Sequence, residues 1–187
     1  RTDLLEARAR IKRALVERTQ GSVTPRAVAV VGTKNTYENM PNVVLNPLAG
    51  RPLVDYTLDA ALAVQTLDRI VVSTDDEAVI RYCEEHYPTV ATRLRPSELS
   101  ALTVREEEII LDAIGALEDE GYASDIVVSL GVHNPLRTPS EVQKAMDTLL
   151  LYDVDLVLSV HENHYLYYVH GERGLEPLNP AMHRRVR

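Results

Sequence analysis

Three short apolar runs, rich in β-branched residues, constrain this chain more than anything else in it: 27–31 (AVAVV), 69–74 (RIVVST) and 125–131 (DIVVSLG). Runs of this length and composition suit strands buried on both faces. The segments between them carry apolar residues at helical spacing. Leu53, Tyr56, Leu58, Ala60, Ala61 and Leu62 give 52–65 a broad apolar side, and Ile109, Ile110, Ala113, Ile114 and Leu117 do the same for 104–120. Asp75 and Asp76 open a helix to about Tyr87, where first-turn carboxylates suit the helix dipole. Ser140 and Glu141 open another to about Tyr152. Strands alternating with helices mean βαβ units with right-handed crossovers, hence a three-layer α/β domain with a mostly parallel sheet.

Other elements are placed around that frame. Residues 90–94 read as a short strand, 155–161 (DLVLSVH) as a fourth strand, and 165–170 with 175–177 as a hairpin turning at 171–174. A β-rich extension is therefore expected from about 160 to 187. At the other end, Leu4, Leu5, Ile11 and Leu15 make 3–18 an amphipathic helix, with Gly21, Ser22 and Pro25 as its linker. The expected division is 1–24 as helix and linker, and 25–187 as the main domain with its extension.

Between the first strand and the helix opened by Pro52 runs a long polar loop, from Gly32 to Asn46, with no regular period. Such connections are usually short in α/β domains, and long ones tend to be binding loops. In open α/β sheets the ligand lies beyond the carboxyl ends of the strands, where this loop belongs. Gly32, Lys34 and Asn35 are therefore candidate ligand contacts, as are His133 and Asn134 at the end of the third run.

The 187 residues carry a formal charge of −8, which argues against a nucleic-acid binder, since phosphate contacts need clustered Lys and Arg. A local basic pocket for a small anion is compatible with that balance. No run reaches membrane-spanning length and no signal-peptide pattern is present. The lone Cys83 excludes an internal disulfide and fits a reducing cytoplasm. His161, His164 and His170 lack the spacing of a zinc site. The Asp75–Asp76 pair is explained by a helix N-terminus without a metal.

Four separated segments carry a family resemblance: 48–62 (LAGRPLVDYTLDAAL), 68–80 (DRIVVSTDDEAVI), 94–100 (LRPSELS) with Thr103, and 134–138 (NPLRT). In this order and spacing they resemble the acylneuraminate cytidylyltransferases, the CMP-sialic acid synthetases and their relatives. Residues 158–177 are similar to that family's continuation into its dimerisation region. The resemblance covers roughly 27–185 and implies a Rossmann-like nucleotidyltransferase domain with a β-rich dimerisation extension. It also implies a cytoplasmic homodimer that joins CTP to a nonulosonic acid, such as a sialic or legionaminic acid, with Mg²⁺ assistance. On that resemblance Lys34 is the principal catalytic cation. Gly32, Asn35, Arg95, His133 and Asn134 join it as nucleotide contacts, Arg137 braces its loop, and the metal ligands stay unassigned.

The sequence also departs from the family pattern. Counted back from Gly50, Tyr37–Glu38 and Val43–Val44 stand where the family carries Ser-Lys and Lys-Asn. Sliding Gly32-Thr33-Lys34 onto the family's Gly-Ser-Lys recovers one cation. A carboxylate such as Glu38 inside a triphosphate cradle costs on the order of several kcal/mol of repulsion in a low-dielectric pocket. Gly131 replaces the Gln that resembles a base reader, Leu102 replaces an Asp, and the family's metal-holding Asp-x-Asp is expected only beyond residue 187. Two alternatives stay open beside the enzyme: a catalytically inactive relative that binds a nucleotide or sugar or serves dimerisation, and a nucleotidyltransferase of altered substrate.

Overall fold

The structure is a computed structural model that describes residues 25–34, 36–37, 40–101, 103–160, 167–171 and 174–178. The helix expected over 3–18, Asn35, Glu38, Leu102, His161, His164 and Tyr165 lie outside the described residues. The chain divides into two units, 1–157 and 158–187.

The first unit is built on four parallel strands: β1 (Ala27–Gly32), β6 (Arg69–Thr74), β7 (Ala91–Leu94) and β8 (Ile126–Ser129), in the order β7-β6-β1-β8. Registers are unbroken, with Val30 opposite Val71 on one side and Val28 opposite Val127 on the other. The period of two along β1 sorts its side chains between two cores. Ala27, Ala29 and Val31 pack with Val54 and Leu58 of α1 (Leu53–Leu62), Val79 and Cys83 of α2 (Glu77–His86), and Val142 and Met146 of α4 (Pro139–Tyr152). Val28 and Val30 pack with Ala113 and Leu117 of α3 (Glu106–Asp119) on the opposite face. This is the three-layer arrangement expected from the sequence. Each fully buried Val or Leu contributes about 1.5–3 kcal/mol of transfer free energy.

The loop after β1 holds more order than its composition suggests. β2 (Thr36–Tyr37) pairs with β3 (Met40–Pro41), and β4 (Pro47–Leu48) pairs with β5 (Arg51–Pro52). The second hairpin turns through Ala49 and Gly50, at φ 49° and 86°. Positive φ at both central residues defines a type I′ turn, whose twist matches that of the strands. Between the hairpins, Val44 is 1% exposed and joins the main core, with Val43 and Leu45 packed beside it. Its carbonyl accepts the Val54 N–H at 3.0 Å. The Val-Val pair that breaks the family pattern thus anchors the loop to the sheet.

One expected strand is not formed. Over 155–160 the described backbone has no strand pairing. Helix α4 ends at Asp153 in the left-handed region, φ 54°, and Leu156, Leu158 and Val160 are then 68%, 70% and 84% exposed. An apolar run signals that a segment suits a sheet; it does not supply the neighbouring strand. In the second unit β9 (Tyr168–Gly171) and β10 (Gly174–Pro177) form the expected antiparallel hairpin, closing at Gly171 opposite Gly174. No described helix is long and apolar enough to cross a membrane.

Candidate active site

The strand order locates the site. From β1 the chain moves outward through β6 to β7, then crosses back past β1 to β8. The switch point therefore lies between β1 and β8, and ligands of open α/β sheets bind in the crevice at the strands' carboxyl ends there. Gly32 ends β1 and Lys34 follows it on one wall, and Gly131, His133 and Asn134 follow β8 on the other.

Below the first wall the strand ends are tied together. The Thr33 N–H donates to the Ser73 carbonyl at 2.9 Å, and the Arg95 N–H to the Thr74 carbonyl at 2.7 Å. Arg95 Nη2 then reaches the Thr33 carbonyl at 2.6 Å and stands 3.9 Å from Asp75 Oδ1. The arginine side chain is 0% exposed. The resemblance makes Arg95 a nucleotide contact; the structure places its guanidinium under the loop, holding the backbone just ahead of Lys34. Thr33 Oγ1 and Ser73 Oγ are buried beside each other's backbone, with no hydrogen-bond partner among the described residues. Buried hydroxyls of this kind call for an explanation, and these two lie at the carboxyl ends of β1 and β6.

Lys34 is partly exposed, and its ammonium donates to the Ala101 carbonyl at 3.3 Å. That contact aims the charge across the strand ends toward the loop that precedes α3. On the β8 wall His133 and Asn134 are exposed. Arg137 Nη1 donates to the Gly131 carbonyl at 3.3 Å, bracing the turn as its Pro-flanked position implies. Burial lowers the Arg137 pKa below the ordinary guanidinium value, against the pull of Glu141.

A carboxylate that sequence reasoning passed over also stands here. Ser129 Oγ donates to Glu106 Oε1, joining the end of β8 to the first turn of α3. Only the crossover that packs α3 against this face could have revealed it. Thr33 had a readable signal: a polar residue directly after a buried first strand.

Asp76 caps α2, its carboxylate accepting the Ala78 N–H at 2.8 Å. Among the described residues no three His, Cys, Asp or Glu side chains gather where a metal ion would be held. With Asp76 committed to the helix and Asp75 facing Arg95, these residues do not by themselves fit the Mg²⁺ that the resemblance implies.

Comparison with known proteins bears on this geometry. The chain is 29% identical over 139 residues to the N-acylneuraminate cytidylyltransferase of Streptococcus agalactiae serotype III, covering 73% of this chain and 32% of that protein. It is 26% identical over 174 residues to the 3-deoxy-manno-octulosonate cytidylyltransferase of Zea mays, covering 83% and 55%. It is 26% identical over 122 residues to the CMP-N,N'-diacetyllegionaminic acid synthase of Legionella pneumophila, covering 65% and 52%. The chain thus spans about a third to about half the length of the curated relatives it matches.

Among solved structures, CMP:2-keto-3-deoxy-manno-octonic acid synthetase complexed with CTP aligns with a TM-score of 0.55 at 17% identity, over 67% of this chain and 47% of that one. A nucleotidyl transferase from Methanothermobacter thermautotroptrophicus aligns with a TM-score of 0.52 at 19% identity, over 64% and 56%. At these identities the structural matches establish the fold, a Rossmann-like nucleotidyltransferase domain. The cytidylyltransferase family profile matches residues 38–172, most of the chain, taking in Gly131, His133 and Asn134 of the β8 wall, and so the chain belongs to the cytidylyltransferase family.

Proposed function

We propose that the crevice between β1 and β8 binds CTP and that the protein transfers its cytidylyl group to a nonulosonic acid of the sialic or legionaminic type. The observation that carries this reading is the coincidence of the family match with a switch point walled by Lys34 on one side and His133–Asn134 on the other. In the reaction a sugar-acid hydroxyl oxygen forms a bond to the α-phosphorus of CTP. The bond from that phosphorus to the bridging oxygen breaks, pyrophosphate leaves with the electron pair, and the hydroxyl proton passes to solvent. Negative charge builds on the phosphate oxygens, so a fixed cation is worth more than a general base. Lys34 supplies that cation in this reading, with Gly32 and Asn35 beside it. Arg95 acts as a positioning residue, because its guanidinium holds the Thr33 carbonyl and so sets where Lys34 leaves the sheet. Mg²⁺ belongs to this reading as a passenger of the triphosphate. The sugar acid, cytoplasmic residence and a homodimer formed through 160–187 complete the proposal; the exposed apolar residues of the hairpin, such as Leu175 at 65%, support the last.

The test is to incubate the purified full-length protein with CTP and Mg²⁺ and, in turn, N-acetylneuraminic acid, legionaminic acid and 3-deoxy-manno-octulosonic acid. CMP-sugar and stoichiometric pyrophosphate are expected with one of the first two. Product only with the third would move the substrate class. A second reading is a nucleotide- or sugar-binding relative without turnover, and burial of Val44 where the family pattern has a polar pair favours it. CTP binding with no pyrophosphate from any sugar acid would select that reading.

A further inference from the structure

A parallel sheet is normally covered on both faces, and the two faces of this one are covered unequally. Helices α1, α2 and α4 lie on one face, and among the described residues α3 alone lies on the other. A helix is about 10 Å across and strands lie about 4.8 Å apart, so one helix covers roughly two strands. α3 packs on β1 and β6. The β8 part of this face is left open: Val127, in register with the buried Val28 and so on the same face, is 38% exposed. The hydrogen bond from Ser129 to Glu106 marks which flank of α3 looks toward β8. At 3.6 residues per turn Ile110 and Ile114 continue along that flank, and both are half-buried. Leu111, 67% exposed, stands outside them with the exposed Glu107 and Glu118. Together they form an apolar groove with an acidic rim.

We propose that this groove seats the chain's own amphipathic segment, 3–18, docked as a second helix beside α3. Leu4, Ile11 and Leu15 fall in one narrow stripe at the helical period, bordered by Arg8 and Arg18. Residues 1–18 carry six basic side chains against three acidic ones, the complement of the rim. The chain also enters the sheet at the right strand. The Arg26 N–H donates to Asp125 Oδ2 at 2.7 Å, and the Arg26 carbonyl accepts the Asp125 N–H at 2.8 Å, which ties residue 26 to the start of β8. The eight residues 19–26 reach at most about 28 Å, enough to turn a helix of about 24 Å back along the groove.

Hydrogen exchange of the full chain tests this seat. A helix of this length is marginal alone in water, so slowed exchange over 3–18 reports docking. Wild-type amides there should exchange about tenfold or more slower than in an unstructured chain. Ile114→Lys and Leu111→Lys should return them to the unstructured rate while β1 and β6 keep wild-type protection. Leu111 is too exposed to support the core, so its variant decides the matter if Ile114→Lys fails to fold. Ile11→Lys should act alike, and pairing it with Leu111→Lys should add nothing, because both changes remove one contact. Unprotected amides over 3–18 in the wild-type chain, or protection that survives Leu111→Lys, would overturn the proposal. A mass by light scattering that falls by half in Leu111→Lys, with exchange over 3–18 unchanged, would give the groove to a second copy instead.

Discussion

Ala49 holds a backbone conformation that costs an L-residue with a β-carbon about 1–2 kcal/mol, because its φ of 49° sets the first central position of a type I′ turn. The turn is kept because its surroundings over-determine it. Tyr56 donates its hydroxyl to the Leu48 carbonyl at 2.7 Å, and the Arg51 guanidinium lies over the Tyr56 ring, 5.1 Å from its centroid. Gly50, the second central residue at φ 86°, pays no such penalty. Replacing Ala49 by Gly relieves the strain at the cost of extra unfolded-state freedom. The net expectation is a gain of about 0.5–1 kcal/mol, read as a higher urea midpoint at unchanged slope. A lower midpoint would mean that the methyl group makes contacts worth more than the strain.

At the scale of elements, α1 and α2 are joined by a polar seam set into an apolar interface. Tyr82 donates to Asp55 Oδ1 at 2.8 Å, Tyr87 donates to Asp59 Oδ1 at 3.2 Å, and Asp55 is 7% exposed. Burial, then the hydrogen bond to Asp55, pushes the Tyr82 pKa up to about 12 from its ordinary 10.0. Burial also pushes Cys83 up to about 11, which keeps that thiol inert at neutral pH. The folded state holds the Tyr82 proton where the unfolded chain has already lost it. This stabilisation is complete below about pH 10 and declines as pH rises from there to about 12. Tyr82→Phe should cost about 1–3 kcal/mol at pH 7, since Asp55 loses a donor in a buried place, and should flatten the alkaline decline in a series of urea midpoints. An unchanged slope would assign the decline to Tyr87 and Cys83, both raised by burial in the same region. None of this pairing was readable in the sequence, because Tyr82 and Asp55 belong to different helices and meet only when both pack on one face. The helices and strands themselves were readable, since a buried sheet flanked by helices imposes its period on every core position. Two-residue strands such as β2 and β4 are too short to show a period. The strand expected over 155–161 failed for the complementary reason, a good period without a described neighbour.

Over the whole molecule the formal charge is −8, so a triphosphate approaches against a repulsive field and must be held by cations placed at one point. The candidate site was legible as far as the carboxyl ends of the first and third apolar runs, because chain position after a buried strand fixes where a residue emerges. Depth was not legible: Arg95 and Lys34 are equally charged in sequence, yet Arg95 is sealed beneath the loop while Lys34 stays partly exposed. This difference separates their expected behaviour. A ligand that binds only the folded state adds RT ln(1 + [L]/Kd), about 2.7 kcal/mol at a hundredfold excess over Kd, so saturating CTP should raise the thermal midpoint of the wild-type protein. Lys34→Ala removes a surface contact with the Ala101 carbonyl, and its midpoint without nucleotide should stay within about 0.5 kcal/mol of wild type. It should lose most of the CTP-induced rise and, in the transfer assay, about a hundredfold or more in turnover, as expected when a group that stabilises transition-state charge is removed. Because an exposed ammonium acts through solvent, raising ionic strength should shrink the wild-type rise and leave the variant nearly unaffected. A full CTP-induced rise in Lys34→Ala, with wild-type turnover, would mean that the triphosphate is held by other cations and that Lys34 serves only to tether the loop before α3.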